Sequence, residues 1–314
     1  MSGFPSLAEL RAGNKRLLAR VLTRLETHAQ ESDTALFLDN ACTGAVGHVL
    51  GLTGPPGVGK SSLTDALIKA FRSEGKRVAV LAVDPSSAIT GGALLGDRTR
   101  LKTDPSDDAV FVRSMAARSR LGGLSDQSVA AISVLRAVCD LVIVETVGIG
   151  QSEGDLKQVA DTVLLCIQPG SGDSLQFMKA GIMELPDLVA VTKSDLGAMA
   201  RRAASDVSGA LSLSRQSDTD WTVPVVQVSA QTGAGIPELV AHARSHHAHL
   251  SKGDLSERRQ LQHVAWFKDM VRTDYGREGL RSASADASGW LVQARDKPFQ
   301  SFAGFAAGFR RSTN

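Results

Sequence analysis

Residues Gly54-Pro55-Pro56-Gly57-Val58-Gly59-Lys60-Ser61 satisfy G-x-x-x-x-G-K-[ST] with no gap or substitution. That spacing suits a phosphate cradle. Glycines let backbone N–H groups line the loop, and the start of a following helix adds positive potential. Lys60 is then expected to reach the β- and γ-phosphates, with the Ser61 hydroxyl on Mg²⁺ and Ser62 leading into the helix. A second group of residues would select the base. Thr192-Lys193-Ser194-Asp195 fits [NT]-K-x-D. There the Asp195 carboxylate can accept both the N1 and N2 hydrogens of guanine while the Lys193 stem covers the ring. Adenine has no matching pair of donors, and a buried carboxylate left unpaired costs roughly 1–3 kcal/mol or more. Taken alone, T-K-x-D also reads as a polar turn. Here Ser229-Ala230-Gln231 follows in order, the Ser-Ala pair expected beside the guanine carbonyl. Together the motifs predict GTP and GDP rather than ATP.

Carboxylates at strand ends would serve the metal. Val78–Val83 runs into Asp84, Leu141–Val144 runs into Glu145, and Asp97 lies in Leu95-Gly96-Asp97-Arg98. Mg²⁺ takes a few carboxylates or waters together with phosphate oxygens, so Ser61, Asp84, Glu145 and then Asp97 are its candidate ligands. Helix capping or turn formation is the alternative use of such acids. Lys60, Glu145 and Asp97 are the candidate catalytic groups. In Glu145-x-x-Gly148, the Gly148 N–H is placed to meet the γ-phosphate and so report hydrolysis. No glutamine directly follows that glycine, and Gln151 is a weaker candidate for orienting water. Intrinsic hydrolysis is expected to be slow until a partner completes the site.

These groups need a scaffold that brings strand ends together. His48–Thr53 is a short apolar strand ahead of the glycine loop. Leu63, Ala66, Leu67, Ala70 and Phe71 recur at helical spacing after it, with Gly75 as the stop. Val78–Val83, Leu141–Val144, Val163–Ile167, Leu188–Val191 and Val223–Val228 are continuous apolar runs, the pattern of strands buried on both faces. Alternation with helical segments predicts an α/β fold, a mostly parallel P-loop NTPase-type sheet flanked by helices. Ligands in such sheets lie at the carboxyl ends of the strands. Residues 1–45 read as a helical extension, 46–253 as the nucleotide domain and 254–314 as a C-terminal helical segment whose first helix ends near Tyr275.

The chain has 314 residues, 43% of them hydrophobic, and 35 Lys plus Arg against 33 Asp plus Glu. Near-neutrality argues against broad nucleic-acid binding. Cys42, Cys139 and Cys166 form no C-x-x-C pair and read as small core residues. Neither a signal peptide nor a membrane span is expected, and a cytoplasmic location follows as the default.

Longer stretches carry a family likeness. Ala82-Val83-Asp84-Pro85-Ser86-Ser87, Thr90-Gly91-Gly92, Leu95-Gly96-Asp97-Arg98-Thr99-Arg100 and Val144-Glu145-Thr146-Val147-Gly148-Ile149-Gly150-Gln151-Ser152-Glu153 are the main pieces, with Gly172-Asp173, Leu175-Gln176 and Lys179. Over about residues 6–275 the chain resembles the methylmalonyl-CoA mutase-associated GTPases, the MeaB/ArgK-like family. The resemblance implies a G-protein chaperone that gates cofactor loading and protects or reactivates an adenosylcobalamin-dependent acyl-CoA mutase. It also implies a homodimer joined through the C-terminal helical arm, and a third switch loop at Gly170–Lys179. Three stretches depart from the family pattern: Arg113–Arg120 lacks the usual prolines, Ser174 and Phe177 replace an acid and a glycine, and the tail after Tyr275 differs. These bear on which mutase is served, with an isobutyryl- or 2-hydroxyisobutyryl-CoA type open beside methylmalonyl-CoA.

Two other functions of the same class remain open, a nickel-insertion GTPase and a kinase linked to amino-acid transport. The first would need a Cys/His pair near a switch, and the second ATP and a phosphoacceptor. Arg118 and Arg120 read as loop residues or γ-phosphate contacts. His242, His246, His247 and His249 read as a surface cluster before a metal site. Phe299, Phe302, Phe305 and Phe309 form an aromatic stripe, preceded by Pro298 at a helix start, that reads as docking on a dimer or binding a partner.

Overall fold

Alternate residues of one strand feed two different cores, which is why the strands read as unbroken apolar runs. Ala79, Leu81 and Val83 pack on one face of the sheet, whereas Val78 and Val80 pack on the other. The computed structural model describes residues 3–27, 32–84, 101, 103–117, 124–146, 152–170, 184–214, 221–253, 255–285 and 289–312. Within them, strands β1 (His48–Thr53), β2 (Val78–Asp84), β3 (Val110–Ala116), β4 (Leu141–Thr146), β5 (Thr162–Ile167), β6 (Leu188–Val191) and β7 (Val225–Gln227) form one sheet. Their order is β3-β2-β4-β1-β5-β6-β7, and every pair is parallel. Because β4 lies between β1 and β2, the loops that leave β1 and β4 are neighbours. Register places Leu52 opposite Glu145, and Val191 opposite both Ile167 and Gln227. All the strand ends singled out above therefore share one edge.

Helices α1 (Leu7–Ala12), α2 (Lys15–Thr27), α3 (Ser32–Thr43) and α5 (Asp126–Val138) cover one face. Helix α4 (Lys60–Ser73) covers the other with α8 (Ile236–Ser251), while α7 (Ala198–Ser214) packs beside β5 and β6. A short α6 (Ser152–Leu156) follows β4. Helix α4 buries Leu63, Leu67 and Phe71, and Gly75 turns the chain at φ 75°, as the spacing predicts.

The structure corrects the sequence reading at β3 and at His246, and adds detail to the tail and to the aromatic stripe. Arg113, Ser114, Met115 and Ala116 belong to β3, a strand the apolar-run criterion passed over. Among the described residues it pairs only with β2, and its Arg113 reaches across to Glu26 Oε2 at 2.7 Å, so an amphipathic sequence suffices there. His246 is no surface residue, at 2% exposure. The tail is regular: α9 (Leu255–Ala285), α10 (Trp290–Gln293) and α11 (Pro298–Ser312). Helix α9 breaks at Gly276, φ 64°, directly after Tyr275. Half of the aromatic stripe is buried within its own chain, while Phe302 and Phe309 stay half-buried. Phe299 and Phe305 are 8% and 3% exposed, and the Phe299 ring lies tilted against Trp266 at 4.5 Å between centroids, on the same core as α3 and α5.

Candidate functional site

The glycine loop leaves β1 into α4. Gly54 has φ 142°, and a Cβ there would meet the Cys166 carbonyl oxygen at 2.3 Å, so both torsion and crowding require glycine. Gly59 caps α4 at φ 100° without any side-chain hydrogen bond, and the first turn of the helix holds no acid. No acid within the helix's own first turn competes for its leading N–H groups. Lys60 is buried at 8% exposure, with Nζ donating to the carbonyls of Gly54 at 2.7 Å and Pro55 at 3.2 Å. The ammonium is held across the loop. Ser62 is exposed on the outer side of the helix.

Glu145, at the end of β4, is 5% exposed. Its Oε1 accepts from Ser61 Oγ at 2.9 Å, and its Oε2 accepts from Thr64 Oγ1 at 3.0 Å. Two candidate Mg²⁺ ligands, Ser61 and Glu145, thereby converge on one point. A hydroxyl beside a carboxylate is a hard-oxygen donor set, which fits Mg²⁺. Thr64 was missed by motif reasoning. Its signal was a polar side chain one turn from Ser61, between the apolar Leu63 and Leu67, and it is fully buried. The backbone of Asp84 closes β2 in register with Ala116 of β3, one residue past the last β2–β4 pair, Val83 with Thr146. The Asp84 side chain, Asp97, Arg118, Arg120, Gly148, Gln151 and the loop Ser171–Lys179 lie outside the described residues.

The base motif is tied to the phosphate loop by its own side chains. Thr192 Oγ1 donates to the Val58 carbonyl at 2.7 Å, and Lys193 Nζ donates to the Gly57 carbonyl at 3.1 Å and to Gln168 Oε1 at 2.6 Å. Lys193 is the one non-glycine with positive φ, 54°, among the described residues. That conformation costs on the order of 1 kcal/mol, and the two hydrogen bonds hold it. Gln168, directly after β5, was not foreseen and is the partner that sets the Lys193 head. Asp195 is exposed, and its Oδ1 accepts from Ser229 Oγ at 2.7 Å. A charge-assisted bond of this kind orients the carboxylate. Ser229 is buried at 1% exposure, while Ala230 and Gln231 enter the turn closed by Gly233 N–H on the Ser229 carbonyl at 2.9 Å.

A family model described as "Methylmalonyl Co-A mutase-associated GTPase MeaB" matches residues 16–282. The chain belongs to the MeaB family. This MeaB-family chain is a GTPase, binding GTP and GDP and hydrolysing GTP. A Pyrococcus horikoshii relative is 41% identical over 265 residues, covering 82% of this chain and 81% of that protein. The "Methylmalonic aciduria type A homolog, mitochondrial" of Mus musculus is 36% identical over 271 residues, covering 85% of this chain and 64% of that longer protein. Among solved structures, "LAO/AO transport system kinase" superposes with TM-score 0.70 at 25% identity, covering 97% and 96% of the two chains. No helix of the described residues is long and apolar enough to cross a membrane.

Proposed function

We propose that this GTPase is a nucleotide-gated chaperone of an adenosylcobalamin-dependent acyl-CoA mutase, controlling cofactor loading and guarding the mutase from inactivation. The observation that carries the reading is the convergence of the Lys60 loop, the Glu145 strand end and the Lys193–Asp195 motif at one sheet edge, in a chain whose family is described as mutase-associated. Lys60 binds the β- and γ-phosphates, Asp195 reads guanine, and Ser229 orients Asp195. Ser61 and Glu145 hold Mg²⁺, with Asp84 and Asp97 as further ligands. When bound, the metal neutralises charge on the phosphate oxygens. Gly148 reports the γ-phosphate, and the loop Gly170–Lys179 carries that state to the mutase. Two chains associate through the C-terminal segment of 254–314.

The test mixes the purified chain, loaded with GDP or a non-hydrolysable GTP analogue, with adenosylcobalamin-dependent mutases for methylmalonyl-, isobutyryl- and 2-hydroxyisobutyryl-CoA. A complex with one of them, at least about tenfold tighter in one nucleotide state, is expected. Absence of a complex with all three sinks the chaperone role. The kinase named in the structural neighbour's title supplies a competing reading, and it predicts that ATP displaces labelled GDP as well as GTP does. Asp195→Asn should weaken GTP by about 10- to 100-fold, since an amide donates where guanine also donates. It should improve xanthosine triphosphate, whose ring carbonyl accepts from that amide. Unchanged GTP affinity in the variant overturns the base assignment.

A further inference from the structure

Away from the nucleotide edge, Gln262, His263 and Trp266 on α9 face Arg136 on α5 across a cavity of about 20 Å³. Each of the four carries a buried polar atom without a hydrogen-bond partner among the described residues: Arg136 Nε, Gln262 Oε1, His263 Nε2 and Trp266 Nε1. Arg136, Gln262 and Trp266 are 4%, 7% and 7% exposed. Buried polar atoms are almost always paired, so four around one small space point to a ligand.

Their neighbours fix which of the four give a hydrogen and which take one. Gln262 Nε2 donates to the carbonyls of Lys157 at 2.9 Å and Ala160 at 2.8 Å, which assigns the amide and leaves Oε1 as an acceptor. His263 Nδ1 lies 2.8 Å from the Arg295 carbonyl oxygen. It therefore carries the ring proton, and Nε2 presents a lone pair. Burial keeps that ring neutral, with its pKa pushed down to about 4. Arg136 Nε and Trp266 Nε1 can only donate. The cavity thus offers two donors and two acceptors.

Water is the small molecule with the complementary set, accepting two hydrogen bonds and giving two. An anion would face two lone pairs, and a cation would face two N–H groups and a guanidinium. An apolar guest would leave all four atoms unpaired. One water needs roughly 10–15 Å³ by this measure of space, so the cavity holds one. We propose that this cavity is a water-binding site, in which a single internal water accepts from Arg136 and Trp266 and donates to Gln262 and His263. The water joins α9 to α5. Through Gln262 it also meets the turn between α6 and β5, so the C-terminal segment is fastened by a polar bond as well as by Trp266 packing on Phe299.

The full chain has three tryptophans, Trp221, Trp266 and Trp290, hence three indole N–H signals in a nitrogen-15 spectrum. Trp266→Phe identifies one of them by its loss, and backbone-linked assignment of the native protein serves if that variant does not fold. The Trp266 indole should show cross-relaxation to water with the sign of a long-lived bound molecule. No such cross-peak overturns the proposal. A crystal structure at about 1.5 Å resolution should show one peak within about 3.2 Å of at least three of the four atoms. An empty cavity, side chains rearranged to bond one another, or density of an anion in place of water overturns it equally.

Discussion

Two buried carboxylates stand at opposite edges of the same sheet, and their partners differ in kind. Glu145, at the carboxyl edge, accepts from the hydroxyls of Ser61 and Thr64. Asp161, at the amino edge just before β5, is fully buried and takes a bidentate guanidinium from Arg259 at 2.9 and 2.8 Å. It also accepts from the Val49 N–H at 2.8 Å. Burial would raise the Asp161 pKa, but the Arg259 hydrogen bonds and charge, with Arg136 and His48, hold it down at about 2. Hydroxyl donors can turn toward a cation, whereas a guanidinium clamped on carbonyls and a carboxylate cannot. The carboxyl edge is built to exchange partners, and the amino edge to keep them.

Arg259→Ala tests the amino edge and carries the largest expected effect. It leaves Asp161 buried without its counter-charge and strips the carbonyls of Ala45 and Gly47 of a donor. Loss of one partner of a buried pair costs about 3–5 kcal/mol. Urea unfolding should show that drop, while GDP affinity of the folded fraction stays within about twofold. A large affinity loss without destabilisation would erase the distinction between the edges.

The same edge carries histidines that fold neutral. His48 Nε2 lies 2.7 Å from Thr162 Oγ1, which lies 2.8 Å from His246 Nδ1. Desolvation pushes His48 down to about 3 and His246 to about 4, with His263 nearby also at about 4. The unfolded chain therefore binds more protons once pH falls below about 6.5, so stability is present above that value and is lost on acidification. Each group contributes up to about 1.4 kcal/mol per pH unit between its two pKa values. Unfolding free energy should fall by on the order of 3 kcal/mol from pH 7 to 5.5. A flat profile would show that these rings are not held neutral.

At the carboxyl edge, Lys60→Ala should do the reverse of Arg259→Ala. GTP binding measured by calorimetry should weaken by at least about 100-fold, roughly 2.7 kcal/mol, from loss of a charge-assisted phosphate contact. The melting temperature should move by less than about 2 °C, since the hydrogen bonds lost at Gly54 and Pro55 lie within one loop.

The two edges were unequally legible in the sequence. At the carboxyl edge the glycine loop and T-K-x-D are contiguous, because one turn must present several groups to one ligand, and local spacing records that. At the amino edge the partners are remote: Arg259 reads as one basic residue of a helix, yet its carboxylate lies 98 residues earlier. The same holds for His246, whose helical neighbours suggest surface while Thr162, 84 residues away, holds it inside. Strand β3 escaped because an edge strand tolerates Arg113 and Ser114 where a central one would not. The phenylalanine stripe was visible as a buried face, but spacing cannot say whether the covering surface belongs to the same chain.

Thr64→Val is the smallest change and the sharpest probe of how the exchanging carboxylate is aimed. Valine keeps the shape of threonine and removes the donor on Glu145 Oε2, leaving Ser61 on Oε1. Thr64 lies one turn into α4 and fully buried, with its hydroxyl given to Glu145. Ground-state affinity for GDP should then be nearly unchanged. The hydroxyl's loss is worth about 1 kcal/mol, so kcat should fall about fivefold at saturating GTP, and excess Mg²⁺ should restore part of it if the carboxylate has merely lost its aim. An unchanged kcat would mean that Glu145 is oriented without the Thr64 hydroxyl. A fall in GDP affinity as large as the fall in kcat would place Thr64 in the loop's architecture instead.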